Sequence, residues 1–387
     1  MIILKIKLAE RTKKVHLSPI REIFEMASRT PGLVRLEVGQ PDFETPKHII
    51  EEAKKALAEG HIGYTSAAGI QETREAISKR YKEDYDVDFN PNNEVVVTSG
   101  ASGAIYATLR ALINPGDEVL RPDPGYAQYD GITNDADGIP VLYPLKPDEN
   151  FEIDFEKLES LITEKTKVLV VNSPSNPTGG VLDENQLEKL CDLADKHDIY
   201  IISDEAYDKV IYGKNHIPTV KVAKNKSRII TIGSSSKNYA MCGWRIGFAA
   251  GDKELMEQVM KFQSLTYICP NVIAQKAYAK ALTSSQNSTE EMKDEYKRRR
   301  DYFAKELNNI KGFKCNMPDG AFYAFVDISE HTEDDWAFVK NLIENVKVTA
   351  IPGSSFGPTG KGFIRFSYAS SIDNLEEAIK RMKKAFS

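Results

Sequence analysis

The chain has little cysteine and no long apolar run. Its four cysteines have none of the short spacings of a metal or redox motif; they are Cys191, Cys242, Cys269 and Cys315. No segment approaches the ~20 consecutive apolar residues of a membrane helix. The opening MIILKIKLAERTKK has lysines within its apolar run, which is shorter than the core of a secretory signal. We therefore expect reduced core thiols, no metal site, no membrane partner and a cytoplasmic protein.

An excess of basic charge is also missing. The sequence has 51 Lys and Arg against 57 Asp and Glu, which gives a net charge of −6. Proteins that bind nucleic acids present a basic face to the phosphate backbone, so this balance argues against nucleic acid as a partner. With 41% hydrophobic and 28% charged residues over 387 positions, the composition is typical of a globular protein of two domains.

The sequence does contain an alternation of helical patterns with short apolar runs, from about residue 45 to 280. Such alternation is typical of a parallel α/β sheet whose strands are buried on both faces. The runs are EVVVT, KVLVV, IYIIS and RIITIG. After residue 280 a charged helical stretch leads to alternating runs and a final helix. We predict a large domain over residues 45–282 and a small α+β domain made of residues 1–44 and 283–387.

Two helices of the large domain have recognisable ends. In TPKHIIEEAKKALAEG, Thr45 is a candidate cap, Pro46 suits the first helical position and Gly60 ends the helix. In DENQLEKLCDLADKHD, Asp183 and Gln186 have the spacing of a capping box. This second helix lies between two apolar runs and predicts a βαβ crossover.

Polar loops follow four of the predicted strands. They are the small residues 99–104, the Asn- and Pro-rich segment 172–180, the stretch Asp204 to Tyr207, and the loop that carries Lys237 and Arg245. Each feature alone also fits a tight turn, a salt bridge or a surface lysine. Because ligands bind at the carboxyl ends of parallel strands, we expect the four loops to meet at one site.

Together the four loops match the needs of pyridoxal 5′-phosphate. Lys237 is a candidate to hold the cofactor's aldehyde as an imine. Asp204 would keep the pyridine nitrogen protonated, and the serines near Lys237 would grip the phosphate with Arg245. The small residues that open a helix after EVVVT offer free N–H groups to the same phosphate.

Seven motifs occur in order along almost the whole chain: GQPDFETP, YTSAAGIQETREAI, RPDPGYAQY, NSPSNPTGG, SDEAY, SSSKNYAMCGWRIG and GFIRFSYA. In these motifs the sequence resembles the class I/II pyridoxal-phosphate-dependent aminotransferases of fold type I, in the branch of prokaryotic aspartate, alanine and aromatic enzymes. The resemblance implies a mostly parallel seven-stranded sheet sandwiched by helices, plus a smaller α+β domain.

The resemblance also implies roles for individual residues. Lys237 matches the Schiff-base and proton-transfer lysine, Asp204 the partner of the ring nitrogen, and Tyr207 and Asn176 the donors to the 3′-oxygen. Residues matching phosphate ligands are Gly100, Ala101, Ser102, Ser234, Arg245 and Tyr64, the last reaching the phosphate of the neighbouring subunit. Tyr126 matches the aromatic residue that stacks on the ring. Arg365, helped by Gly39 and Asn176, matches the group that binds the substrate's α-carboxylate.

The implied activity is transfer of the α-amino group of an L-amino acid to a 2-oxo acid, with 2-oxoglutarate the expected acceptor. The resemblance implies a ping-pong mechanism alternating pyridoxal and pyridoxamine phosphate, in a homodimer with shared active sites. Aspartate, alanine and aromatic amino acids all remain candidate donors. Tyr126 stands where several aspartate-specific members have tryptophan, and Ser102 where some have lysine.

Two alternatives belong to other functional classes. A β-lyase or related eliminating enzyme of the same fold would use the same lysine, aspartate and arginine. An effector domain of a transcription regulator would need a DNA-binding module at its start, whereas 38 residues precede Gly39.

Overall fold

Two β-sheets with helices packed on them make up the computed structural model, which describes residues 8–15, 19–60 and 62–387. The large sheet has the strand order β1-β8-β7-β6-β5-β2-β3-β4. Its strands are β1 (Val95–Thr98), β2 (Glu118–Asp123), β3 (Ile139–Lys146), β4 (Glu152–Ile153), β5 (Thr166–Asn172), β6 (Tyr200–Asp204), β7 (Ile229–Ser234) and β8 (Gly247–Ala250).

The large sheet is mostly parallel, as the sequence predicts. Strands β3, β2, β5, β6 and β7 run parallel to one another. Strand β8 is antiparallel to both β7 and β1, and β4 is antiparallel to β3. The four apolar runs form β1, β5, β6 and β7. Strand β4 has two residues and pairs with β3, so it adds an eighth strand to the predicted seven at the sheet edge.

Helices cover both faces of this sheet. The helices from the start of the chain to the end of the large sheet are α1 (Ile20–Arg29), α2 (Lys47–Glu59), α3 (Gln71–Tyr85), α4 (Gly100–Leu112), α5 (Gln128–Asp135), α6 (Phe155–Ser160), α7 (Glu184–His197), α8 (Thr219–Val222) and α9 (Ser235–Asn238). Val168 and Val170 pack on one face in a core that includes residues of α4. Leu169 and Val171 pack on the other face in a core shared with α7. Successive side chains of a strand alternate between faces, so the middle of β5 is apolar on both faces.

The helix ends predicted from the sequence agree with the structure in α7 and differ from it in α2. The capping box is present in α7, where Asp183 and Gln186 each bond the other's backbone. Helix α2 begins at Lys47 rather than Pro46, and Pro46 is its N-cap. Thr45 does not cap this helix; its hydroxyl instead donates to the carbonyl of Ala240 at 2.7 Å. The same hydroxyl accepts from Nε1 of Trp244 at 3.0 Å, so the hydroxyl of Thr45 is engaged by another part of the chain both as donor and as acceptor.

The second sheet is small and antiparallel, with the order β11-β12-β10-β9. It consists of β9 (Lys314–Cys315), β10 (Tyr323–Asp327), β11 (Ile351–Pro352) and β12 (Phe363–Ser367). The remaining helices are α10 (Lys253–Tyr267), α11 (Val272–Thr283), α12 (Asn287–Leu307), α13 (Asp335–Asn341) and α14 (Ile372–Ala385). In the described residues, none of these helices or those before them is long and apolar enough to cross a membrane.

Two of the four cysteines are not the buried core thiols that the sequence predicts. All four are free; Cys191 and Cys315 are buried, whereas Cys242 and Cys269 are partly exposed. Cys242 begins a short 3-10 turn (Cys242–Trp244) and Cys269 lies in a loop, both outside the strands of the sheets.

Strand pairing brings the polar loops together. Asn172 at the end of β5 pairs with Asp204 at the end of β6, and Ser234 at the end of β7 pairs with Gly247 of β8. The carboxyl ends of these parallel strands therefore present their loops along one edge of the large sheet.

Candidate active site

A cavity of about 310 Å³ contains almost all the predicted site residues. The walls of the cavity include side-chain or backbone atoms of Gly39, Ala101, Ser102, Tyr126, Asn176, Asp204, Tyr207, Ser234, Lys237, Arg245 and Arg365. Gly100 adjoins the cavity beside Arg245, and Tyr64 lies elsewhere on the surface. The volume is within the range of small-molecule and cofactor sites.

Lys237 reaches the cavity from α9, a single helical turn directly after β7. Its Nζ donates to the carbonyl of Gly39 at 2.5 Å and lies 3.9 Å from Sγ of Cys242. The amine is also 5.9 Å from the ring centres of both Tyr207 and Phe322. A partly buried amine beside a carbonyl and two aromatic rings is held at one place in the cavity rather than in solvent.

Asp204 ends β6 as a buried carboxylate that forms no ion pair within the described residues. Its Oδ2 accepts from the hydroxyl of Tyr129 at 2.7 Å, and its Oδ1 accepts from the N–H of Ala206 at 3.2 Å. Burial raises the pKa of Asp204, and the bond from Tyr129 acts in the opposite direction. A buried anion with this little compensation suits a cationic partner in the cavity.

The start of α4 approaches Arg245 closely. Gly100 has φ +73°, and a Cβ there would lie 2.7 Å from Nη2 of Arg245. Gly247 lets the strand β8 approach α4, because its Cβ would lie 2.9 Å from the N atom of Ala101. Arg245 is itself left-handed, with φ 53° and ψ 56°, an uncommon conformation for a residue with a side chain. N–H groups at a helix start and an arginine side chain are groups that suit an anion.

Ser234 is the N-cap of α9 and ends β7. Its hydroxyl accepts from the N–H of Ser236 at 3.2 Å, and both serines are in the cavity wall. Ser102, near the start of α4, donates to Oε1 of Gln128 at 3.0 Å. The hydroxyl of Ser102 is thus engaged by a neighbouring side chain in this structure.

Arg365 projects from β12, the strand between β10 and β11, into the same cavity. Its Nη1 donates to Oδ1 of Asn176 at 2.8 Å and its Nη2 to the carbonyl of Glu37 at 2.9 Å. Its guanidinium carbon lies 4.3 Å from the ring centre of Tyr323. Nε is buried without a hydrogen-bond partner, and burial lowers the pKa of Arg365. A buried cation with an unused donor suits an incoming carboxylate.

Tyr207 and Tyr126 also line the cavity. The hydroxyl of Tyr207 shares a 2.8 Å hydrogen bond with the hydroxyl of Tyr323, and burial raises the pKa of Tyr207 well above its ordinary value. Burial raises the pKa of Tyr126 to about 12, and its ring packs edge-on against Tyr129 at 5.5 Å between centres. Both phenols are therefore neutral hydrogen-bonding groups at neutral pH.

Tyr64 is not brought to this cavity. It is 85% exposed and lies beside other exposed apolar side chains, among them Leu57 and Ile62. A side chain in that position contributes nothing to the cavity of its own chain.

Sequence reasoning missed residues of the cavity wall, among them Tyr323, Ile20 and Phe24, and also Tyr129, which is fully buried outside the wall. Tyr129 and Tyr323 bond to Asp204 and Tyr207, while Ile20 and Phe24 of α1 add an apolar wall. Tyr129 lies within RPDPGYAQY, but nothing in the pattern separates it from a core tyrosine. The apolar spacing of Ile20 and Phe24 on α1 also fits an ordinary core-facing helix.

The cavity fits pyridoxal phosphate by its own groups. The glycine at position 100 leaves space beside Arg245 that a Cβ would fill, which suits a phosphate. The uncompensated carboxylate of Asp204 suits a protonated ring nitrogen, and Lys237 suits an aldehyde. An open α/β sheet with this cavity defines a pyridoxal-phosphate enzyme as the class of protein.

Comparison with known proteins gives the family within that class. Residues 31–382 match the model of the aminotransferase class I and II family, and the chain belongs to this family. Its cofactor is pyridoxal 5′-phosphate.

Individual relatives differ in the donor that their names give. A probable aspartate aminotransferase of Methanocaldococcus jannaschii is 43% identical over 98% of this chain and 100% of its own. The crystal structure of an aromatic aminotransferase from Pyrococcus horikoshii has a TM-score of 0.89 and 37% identity, covering 94% of this chain and 98% of the other. An alanine aminotransferase from Pyrococcus furiosus has a TM-score of 0.94 and 34% identity, covering 98% and 99%.

Proposed function

We propose that this aminotransferase moves the α-amino group of several L-amino acids to 2-oxoglutarate in two half-reactions of a ping-pong cycle. The observation that carries this proposal is the presence of Lys237, Asp204 and Arg365 in one cavity of about 310 Å³. An amine, a buried carboxylate and a buried guanidinium are the three groups that amino transfer on this cofactor needs. Bound pyridoxal phosphate supplies an aldehyde that carries the amino group and a ring that takes up electrons when the Cα–H bond breaks.

Arg365 binds the substrate. Its fork is already held by Asn176 and by the carbonyl of Glu37, so the guanidinium is oriented before the substrate arrives. The α-carboxylate common to all amino acids then meets a fixed cation with a free Nε donor. Gly39 lies beside this site and its carbonyl accepts from Lys237, which places the amine near the carbon next to that carboxylate.

Lys237 moves the proton. When the amine is free, it would take the proton from Cα as general base and deliver it as general acid to the carbon of the cofactor's former aldehyde group. Asp204 keeps its negative charge beside the ring nitrogen and holds the proton there, with Tyr129 supporting the anion. Tyr207 and Asn176 would donate hydrogen bonds to the cofactor's 3′-oxygen, and the ring of Tyr126 would stack on the cofactor ring.

Phosphate binding falls to a group of residues at the edge of the sheet. The N–H groups at the start of α4, the hydroxyls of Ser102 and Ser234, and the guanidinium of Arg245 are its ligands within one chain. Gly100 is required there because a side chain would displace Arg245.

The second half of each site comes from a neighbouring subunit in a homodimer. Tyr64 is 85% exposed and lines a surface cavity together with Leu57 and Ile62, which are 57% and 54% exposed. An exposed patch of large apolar side chains is typical of a protein interface. We propose that this patch meets a second copy and that Tyr64 reaches the partner's phosphate. Residues 45–282 form the cofactor domain and residues 1–44 with 283–387 the small domain, in a cytoplasmic enzyme.

The donor range is broad, because Ile20 and Phe24 form an apolar wall of the cavity. The cations that line the cavity within the described residues are Lys237, Arg245 and Arg365, and each already has a role with the cofactor or the α-carboxylate. Titration of the loaded enzyme with a panel of amino acids tests this, by following the cofactor's visible absorption band. We expect alanine, aromatic amino acids and aspartate each to change the band and to yield the matching 2-oxo acid. Strict preference for one donor would contradict a broad range.

Product analysis separates transfer from elimination. Amino transfer leaves a 2-oxo acid without free ammonia, whereas a lyase of this fold releases ammonia or a leaving group. Stoichiometric ammonia from every active substrate would contradict the proposal.

A further inference from the structure

Two residues that directly follow proposed site residues are hydrogen-bonded to each other. Asp208 follows Tyr207, and Asn238 follows Lys237. Nδ2 of Asn238 donates to Oδ1 of Asp208 at 2.5 Å. This bond joins the loop after β6 to the helical turn α9, so it connects the segments that carry the tyrosine and the lysine.

The carboxylate of Asp208 is held by two hydrogen bonds rather than by an ion pair. Its Oδ2 accepts from the hydroxyl of Tyr85 at 2.6 Å. Within the described residues no Lys or Arg pairs with it, and the adjacent Lys209 pairs with Asp84 at 2.6 Å instead. Because a partly buried carboxylate needs donors, the bonds from Tyr85 and Asn238 are its main support.

Asn238 contributes mainly through this one bond. The residue is 6% exposed, and its own Oδ1 is buried without a hydrogen-bond partner among the residues that the structure describes. A buried amide oxygen without a partner is destabilising, so an apolar residue would pack there at lower cost. What the amide adds is the donor to Asp208.

The turn that carries Lys237 needs support from outside. Helix α9 has four residues, and a single turn is not stable by itself. It is followed by Tyr239 and then by Ala240, which has φ 51°, a strained value for alanine. The side chain of Asn238, at the last position of α9, ties this end of the turn to a neighbouring element.

We propose that Asp208 is a positioning residue for Lys237. Its carboxylate holds Asn238 and thereby fixes the turn α9 against the loop of Tyr207, so that the amine of Lys237 stays at its distance of 5.9 Å from the Tyr207 ring centre. The inference rests on the proposed role of Lys237 and adds the group that sets its position. Proton transfer depends steeply on such placement.

The test compares holoenzymes of the wild type with Asp208→Ala, Asn238→Ala and the double variant. For each protein, three quantities are measured: the pH midpoint of the cofactor's visible band, kcat and KM for one donor, and the thermal unfolding temperature. We expect each single variant to move the band midpoint by about half a pH unit or more and to lower kcat by about tenfold with little change in KM. The double variant is expected to be no worse than either single one, since both remove the same bond.

Two further variants make the result specific to this bond. Asp208→Asn keeps an oxygen that can accept from Asn238, so it should restore kcat to within about threefold of the wild type. Tyr85→Phe removes the other bond to Asp208 and leaves the one to Asn238, so it should lower the unfolding temperature with a much smaller effect on the band midpoint.

The outcomes separate this inference from the proposed function. If Asp208→Ala and Asn238→Ala lower the unfolding temperature but keep the wild-type band midpoint and kcat, the pair is merely structural and the inference is wrong. Fully additive effects in the double variant would overturn it as well. If Lys237→Ala keeps the pH-dependent change of the band, the proposed role of Lys237 fails and the inference falls with it.

Discussion

The hydroxyl of Tyr129 controls the pH range in which Asp204 stays ionised. Tyr129 is fully buried, and its hydroxyl donates to Oδ2 of Asp204 at 2.7 Å. Burial raises the pKa of this carboxyl, and the hydrogen bond from Tyr129 lowers it. Loss of a hydrogen bond to a charged group costs about 1.5–3 kcal/mol, and ~1.4 kcal/mol corresponds to one pKa unit. Tyr129→Phe should therefore raise the pKa of Asp204 by about one to two units.

The sign of the effect on activity follows from the role of the anion. A carboxyl group with a higher pKa takes up its proton at higher pH, so it no longer holds the proton of the cofactor's ring nitrogen there. The acid limb of the kcat/KM profile of Tyr129→Phe should move to higher pH by about one to two units. The profile is measured with one donor from about pH 5 upward, at saturating cofactor. The ratio kcat/KM is used because it reports the ionisation of the free enzyme.

A second buried tyrosine provides the control. Tyr143 is 2% exposed and donates to the carbonyl of Val170 at 2.9 Å, so Tyr143→Phe also removes one buried hydrogen bond but does not touch Asp204. Its acid limb should coincide with that of the wild type. If Tyr129→Phe and Tyr143→Phe give the same profile, the reasoning about Asp204 is wrong.

Three further predictions concern binding. Arg365→Lys should raise KM for every amino donor by about tenfold or more, because an ammonium cannot replace the two-pronged fork; steady-state kinetics in which only one donor suffers would contradict this. Gly100→Ala should weaken cofactor binding in equilibrium dialysis, since its Cβ would lie 2.7 Å from Nη2 of Arg245. The control Gly116→Ala should leave cofactor binding unchanged, because Gly116 also has a positive φ, +89°, but nothing lies within 4 Å of its Cβ. Tyr64→Phe should weaken cofactor binding by about 1.5–3 kcal/mol in a dimeric enzyme, and a fully active monomer in sedimentation would argue against the shared site.

The sequence predicted the parts of the site that depend on strand ends. Short apolar runs gave β5, β6 and β7, and parallel pairing then requires their polar loops to meet. Asp204 and Lys237 were found in this way because Asp204 directly follows one such run and Lys237 lies in the polar loop after another. The sandwich of helices was implied by the family resemblance, and it agrees with strands that are buried on both faces.

Contacts between distant segments could not be read from local patterns. The bond from Tyr129 to Asp204 and the bond from Asn238 to Asp208 join residues that are far apart in sequence, and neither residue type is unusual at its position. Thr45 shows the same limit, because its hydroxyl has a local role available at α2 and instead donates to Ala240. From the sequence alone, the hydroxyl of Thr45 could bond either to the first turn of α2 or to a distant residue, and only the tertiary structure shows which bond forms.

The central claim is that Lys237 is the residue that holds the cofactor. Reduction of the holoenzyme with borohydride, followed by proteolysis and peptide mass spectrometry, tests it most directly. We expect the mass of the reduced cofactor on the peptide that contains Lys237, and its loss when an amino donor is added before reduction. The cofactor's mass on a different lysine, or no fixed cofactor in a protein whose spectrum shows it bound, would contradict the account.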